Sequence, residues 1–332
     1  MWTHTRLQKL VFIWYNIPSF TGGSAVESIG LLVQRRTRQE RRFRLLLFLP
    51  TIVFLILMVI FPLVYSVDIS FYDYVRGREP RFVGGGNYAQ LFRSEQFWLV
   101  TWVTLRITLT CLAIEMGLGL LLGFALSQRI PGMGVFRLLI FLPMMLAPLV
   151  AGLFWRLLLD QTFGLVNFFL ERLGFGAVEW LTDPRFAIWG IIITDVWQWT
   201  PFVVLLVLAG LGTIPQELQE AATLDRASSW MRFKHIYLPY LRMPILLAVL
   251  FRSIDTLKMF DVPYILTGGG PGDLTTTLSL LGYRNLFSFF KVGVASAISW
   301  FVVIVVNVLV NILLKILSPR KRVPQEMVDT GL

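Results

Sequence analysis

The sequence holds a single cysteine and two histidines in 332 residues. One thiol, Cys111, can close no disulfide within the chain. With His4 and His235 far apart in sequence, no Cys/His cluster can be assembled, and no metal site is expected. Both histidines read as solvated or interfacial side chains. Charge is scarce as well. Only 15% of the residues are charged, against about 25% in soluble domains. A water-soluble globule of this length would lack the polar cover its surface needs, so composition argues against the soluble classes. A phosphate loop is also lacking. The run Gly268-Gly269-Gly270-Pro271-Gly272 has no following Lys-Ser/Thr and no strand–helix setting. It reads as a flexible turn. No nucleotide-binding motif stands elsewhere in the chain, and no cofactor is expected.

What the chain has in abundance is apolar length. It is 56% hydrophobic with a mean hydropathy of +0.68. Several runs exceed the roughly 18 mostly apolar residues that mark a spanning helix. Six such runs lie at about 45–67, 97–126, 138–158, 186–210, 243–266 and 291–317. The expected fold is all-α: a polytopic membrane protein with six transmembrane helices and a helical loop on the cytoplasmic side. The formal charge of +10 does not point to nucleic acid, because the basic residues flank the apolar runs. Arg35-Arg36-Thr37-Arg38-Gln39-Glu40-Arg41-Arg42-Phe43-Arg44 directly precedes the first run. Arg129, Arg137, the loop 211–242 and Arg320-Lys321-Arg322 fall on the same side, which puts both termini in the cytoplasm. Residues 1–42 read as a basic cytoplasmic tail, 43–318 as the transmembrane domain and 319–332 as a second tail. Within the first tail the apolar stretch 9–20 is too short to span, is broken by Pro18 and has no cleavage site.

The helices are not uniformly apolar. Gly117, Gly119 and Gly123, with Ala113 and Ala125, offer a small-residue seam for close helix approach. Pro143, Pro148 and Pro201 should kink or open their spans. Charges at bilayer depth cost about 2.5–3.5 kcal/mol each on insertion scales. This chain nevertheless keeps Arg106, Glu115 and Asp195 within spans, and a fifth-span row of Arg252, Asp255, Lys258 and Asp261. Two readings of that row stay open: an internal ion-pair ladder that locks helices, or the lining of a hydrophilic pathway. Asp261 also has an interfacial reading. A second polar-aromatic cluster holds Asp195, Trp197, Gln198, Trp199, Thr200 and Phe202. Aromatic faces beside amides and hydroxyls suit sugar rings, and they equally suit plain aromatic packing. A membrane enzyme using Glu115 and Asp195 as acid and base is disfavoured, because no nucleophile–base pair is in register.

The stretch 213–244 is the most informative. Thr213 and Gln216 have capping-box spacing, with Pro215 in the first turn. A short helix is expected through Glu220, Ala221 and Ala222 to about Leu224, then a turn near Asp225–Ala227. A second short helix with Trp230 and Phe233 should end at Leu238-Pro239, where the next span starts. By chemistry alone this hairpin suits either a lipid surface or a groove on a partner.

The run Glu220-Ala221-Ala222, Asp225, Ala227, Trp230, Phe233, Ile236 and Leu238-Pro239 resembles the EAA loop of ABC importer permeases. The surrounding sequence resembles the carbohydrate permeases of the maltose and glycerol-phosphate type. Trp197, Pro201-Phe202 and Leu208-Ala209-Gly210-Leu211 stand before the loop as they do there, and Arg252, Asp255, Phe260-Asp261, Tyr264 and the glycine run stand after it. The resemblance covers most of 43–317. It implies a permease half that pairs with a second, homologous permease subunit and with two separate ATPase subunits. Solute, a carbohydrate or related polyhydroxy compound, would arrive on an extracytoplasmic binding protein. The loop about 213–240 would be the coupling element, with Glu220, Ala221, Ala222, Asp225, Arg226 and Ala227 at the ATPase. Asp195, Trp197, Gln198, Trp199, Phe202, Arg252, Asp255, Lys258 and Asp261 would line the solute pathway. The chain itself would be no enzyme, and its lipid setting would be a bacterial or archaeal cytoplasmic membrane. Arg226 departs from the pattern, since the family usually has glycine there. An ATP-independent secondary transporter is the alternative, weakened by the lack of an evident internal repeat.

Overall fold

The computed structural model describes residues 47–128 and 130–317. The basic N-terminal tail, Arg129 and the C-terminal tail lie outside the described residues. Two compact units are distinguished, one ending at Tyr65 and one beginning at Ser66. Helix α1, Leu47–Ile69, carries the first apolar run, and most of it belongs to the first unit. Its turn Ile56–Ile60 is widened to π geometry, with Phe61 N–H donating to Ile56 O. The widened turn ends two residues before Pro62. Proline offers no N–H to the preceding turn and its ring crowds the carbonyl four residues back. A π turn placed just before it relieves that crowding without ending the helix.

The second unit opens with a small antiparallel pair, β1 Tyr72–Asp73 and β2 Arg81–Phe82, followed by α2, Gly86–Arg93. Helix α3, Glu95–Leu126, starts where the Ser94 hydroxyl accepts from Phe97 N–H. Its far end is closed by Arg137, whose Nε and Nη2 donate to Leu126 O. A cation there also suits the negative end of the helix dipole. Next come α4, Met133–Phe141, and α5, Pro148–Leu158. The expected third span is this pair, bent by 102° at the break after Met145. Pro143 opens a single 3-10 turn and Ala147, forced to extended backbone by Pro148, ends the helical path. Helix α6 is Leu165–Arg172 and α7 is Ala187–Gly212. Pro201 does not end α7, which runs through it. After α8, Gln216–Leu224, helix α9 runs unbroken from Ser229 to Leu257. The short helices α10, Asp261–Leu266, and α11, Leu278–Tyr283, precede α12, Val292–Leu317. Among the described residues five helices are long and apolar enough to cross a membrane, six if the bent pair counts as one span.

Two expectations about the hairpin need correction. The capping box does not form: Thr213 donates its hydroxyl back to Gly210 O, and α8 begins after Pro215 with no side-chain cap. Leu238-Pro239 does not separate a second short helix from the span. A π turn at Phe233–Tyr237 precedes Pro239 with the same offset as in α1, and the helix continues.

The unit is held together along α7, its most buried long helix. Helices α3 and α7 run parallel. A Cβ on Gly123 would approach Val207 Cγ1 to 2.5 Å, and one on Gly119 would overlap Val203. Backbone therefore packs directly on valine, the close approach that small residues permit in lipid. The seam is narrower than its composition suggests, because Ala113, Gly117 and Ala125 are exposed. Helix α9 packs antiparallel to α7, with Gly210 seated under Leu241 and Pro244. These contacts set α3, α7 and α9 side by side.

Candidate functional site

One buried charge cluster joins those three helices. On α9, Arg252 donates from Nε to Glu115 Oε2 at 2.7 Å and from Nη2 to Glu115 Oε1 at 2.8 Å. Nη2 also reaches Asp195 Oδ2 at 2.6 Å. Glu115 lies on α3 and Asp195 on α7. All three side chains are at most 4% exposed. The guanidinium lies over Trp199, 5.0 Å from the ring centroid. Two carboxylates on one fork satisfy the charge that burial would otherwise make prohibitive.

The row expected on the fifth span divides in two. Arg252 pairs across to neighbouring helices, while half-buried Asp255 and exposed Lys258 pair with each other at 3.0 Å. Helix α9 stops at Leu257, and Asp261 sits in the first turn of α10. Pro263 explains the break, since in a continued helix its ring would meet the carbonyl of Met259. The break opens a cleft of about 250 Å³ lined by Asp195, Trp199, Arg252, Asp255, Lys258 and Asp261.

The 195–202 cluster divides between two faces. Asp195 and Trp199, one turn apart, face Arg252. Trp197 faces the bent pair instead, stacked on Phe154 at 5.8 Å and edge-on to Trp155 at 5.7 Å. Gln198 donates Nε2 to Leu146 O at 2.8 Å, taking up a carbonyl freed by the bend. Phe202 meets Phe251 edge-on at 6.2 Å. Of the residues expected near solute, Trp197, Gln198 and Phe202 are thus absent from the cleft wall. Glu115, which the expected pathway set omits, anchors the cluster. Its intramembrane charge was the available signal.

The hairpin is built around Arg226. This residue takes φ +50°, the left-handed backbone in which glycine is favoured. Arg226 N–H donates to Thr223 O at 3.1 Å and Ala227 N–H to Ala222 O at 3.0 Å. These are the paired bonds of a Schellman end. The turn is thus built as a glycine would build it, with arginine bearing the strain. Arg232 then clasps the two arms, donating to Ala227 O at 3.2 Å, Ala222 O at 3.4 Å and Thr223 Oγ1 at 3.3 Å. Ser228 caps the second arm by accepting from Met231 N–H. Glu220, Ala221, Asp225 and Arg226 are exposed, Ala227 is half-buried and Ala222 is buried. Behind the hairpin, Phe233 and Tyr237 pack on Phe124 of α3.

The glycine run is not a loose turn. Gly268, Gly269 and Gly272 have positive φ, and Thr275 and Thr276 donate to Gly270 O and Gly269 O. Arg284 donates to Gly268 O and to Asp273 Oδ1. Partial burial raises the Asp273 carboxyl, but hydrogen bonds from Gln96, Thr276 and Arg284 outweigh it and hold the group below the usual carboxylate range. Sequence offered no sign of this Asp273–Arg284 pair.

Residues 115–323 match the family described as binding-protein-dependent transport system inner membrane component. The trehalose/maltose transport system permease protein MalF of Thermococcus litoralis is 38% identical over 81% of this chain and 91% of its own length. The sulfoquinovosyl glycerol transport system permease protein SmoG of Agrobacterium fabrum is 38% identical over 78% of this chain and 85% of its own. The trehalose transport system permease protein SugA of Mycobacterium tuberculosis is 33% identical over 83% and 89%. Among solved structures, a chain of a bacterial ABC transporter that imports the acidic polysaccharide alginate superposes with a TM-score of 0.74, over 86% of this chain and 97% of that one. At 22% identity that likeness speaks for the fold.

Proposed function

Because this chain belongs to the family of binding-protein-dependent transport system inner membrane components, we propose that it is one permease half of an ATP-driven carbohydrate importer. Energy comes from two separate ATPase subunits, and solute from an extracytoplasmic binding protein. The observation that carries this reading is the hairpin. A buried Ala222, exposed Glu220 and Ala221, and a Schellman turn clasped by Arg232 present a small, rigid, acidic knob. Small side chains let a partner's cleft close around it, and Glu220 offers that partner a carboxylate. Because α9 is one helix from the hairpin to Leu257, a push on the knob reaches the charged cleft along about 43 Å of rod. Both termini then share the hairpin's cytoplasmic side.

The names of the relatives, two of which carry trehalose, support a carbohydrate solute. In this reading Asp195, Trp199, Arg252, Asp255, Lys258 and Asp261 line the pathway, whereas Trp197, Gln198 and Phe202 shape it from behind. A pathway between two halves also accounts for Arg106, an exposed cation within α3 that has no ion pair among the described residues. Membership of a binding-protein-dependent family sets aside the ATP-independent transporter.

The test is co-purification of the ATPase with wild type and with Glu220→Arg, together with uptake into vesicles. Wild type should retain the ATPase and take up labelled sugar only with ATP, and the variant should lose both. Uptake by this chain alone without ATP would overturn the proposal.

A further inference from the structure

Four aromatic rings lie side by side just beyond the charged cleft. Phe260 and Tyr264, one turn apart at the start of α10, stack at 5.2 Å with planes 16° apart. Tyr283, from the end of α11, packs against them at 4.9 and 5.4 Å. Phe287, one turn further, continues the row at 4.9 Å from Tyr283. Phe260 lines the charged cleft. Tyr283 and Phe287 line a second cleft of about 450 Å³, whose wall also carries Ser279, Ser296 and Ser299. The row therefore runs from one cleft to the other, with Tyr264 between them.

Its frame is rigid. Thr277 donates to Met259 O at 2.7 Å and Ser279 to Lys258 O at 3.0 Å, tying α11 to the chain that leaves α9. Yet Tyr264 and Phe287 keep much of their surface free, at 41% and 59% exposed. A pre-set aromatic surface costs little ordering on binding. By itself the charged cleft is below the roughly 300–1,000 Å³ of ordinary ligand sites, and joined to its neighbour it enters that range.

We propose that Phe260, Tyr264, Tyr283 and Phe287 form a stacking wall for sugar rings, along which solute passes between the two clefts. Pyranose rings present apolar C–H faces for the aromatics. Their hydroxyls meet the Asp255–Lys258 pair at one end and the serine hydroxyls at the other. The inference rests on the carbohydrate reading above and adds residues to it. A plain interfacial belt of aromatic anchors would place no demand on ring faces in transport.

The experiment uses the complete transporter in proteoliposomes. The probe is whichever of labelled trehalose, maltose and glucose the wild type takes up fastest. Tyr283→Leu and Phe287→Leu keep apolar bulk and remove the ring, while Tyr283→Phe and Phe287→Tyr keep it. Uptake should fall at least tenfold in the leucine variants and stay within about twofold of wild type in the aromatic ones. ATP hydrolysis stimulated by the loaded binding protein should be unchanged in all four. Leucine variants that transport like wild type, or that lose uptake and ATP hydrolysis together, would overturn the wall. If the wild type takes up none of the three sugars, the carbohydrate reading fails and the inference with it.

Discussion

At the scale of single residues, Arg252 and Arg226 represent two kinds of cost. Arg252 is a buried cation whose two carboxylate partners come from other helices. Removing it alone leaves Glu115 and Asp195 buried and unpaired, which typically costs about 3–5 kcal/mol. Arg252→Met should therefore lower the thermal unfolding midpoint of the purified chain sharply, and adding Glu115→Leu and Asp195→Leu should restore much of it. An unchanged midpoint in the single variant would show that the cluster contributes nothing. Arg226 bears backbone strain at φ +50°. Arg226→Gly should relieve roughly 1–2 kcal/mol, so ATPase co-purification should hold or improve. Loss of transport with normal ATPase binding would assign the guanidinium a role of its own. Both arginines were visible in the sequence. The departure of Arg226 from the family's glycine was legible, but its left-handed backbone came only with the structure, and the pairing did not follow from spacing, because Asp255 stood nearer along the chain.

At the scale of elements, prolines break some helical paths and are absorbed in others. Pro62 and Pro239 are each preceded by a widened turn and do not end their helices, whereas Pro143 and Pro148 together bend the third span by 102°. Apolar run length made five spanning helices and the bent pair legible. The bend was legible only as a tendency, because α7 absorbs Pro201 and α9 absorbs Pro244, and the sequence does not show that Ala147 turns extended before Pro148. The α3–α7 seam gives a sharp test. Gly123→Val would force a branched side chain against Val207, and overpacking of this kind costs about 1–3 kcal/mol. Gly117→Val, on the open side of the same helix, meets nothing within 4 Å. Thermal unfolding in detergent should separate the two, with only the first destabilised. Equal behaviour would mean that the seam does not hold the helices.

At the scale of the whole molecule, the faces left open are as informative as those closed. Arg106 is exposed on α3, and facing lipid at depth would cost about 2.5–3.5 kcal/mol on insertion scales. It should therefore face a second permease or a water-filled path. Arg106→Cys is expected to crosslink to the partner permease or to react with a water-soluble maleimide. Labelling by neither would place it against lipid and weaken the two-permease arrangement.

Run length and flanking charge in the sequence determined the membrane class, the number of spans and the position of the hairpin. These are local properties, set by how many apolar residues follow one another and where basic ones stop them. Only tertiary structure decided which charges meet. Glu115 lies 137 positions from Arg252, and Asp195 lies 57. Three-residue spacing describes neighbours along one helix. The rotation of that helix and its depth against others are set by packing, here glycine against valine along α3 and α7. That packing brought the distant carboxylates to Arg252 and left Asp255 and Lys258 to each other at the cleft's edge.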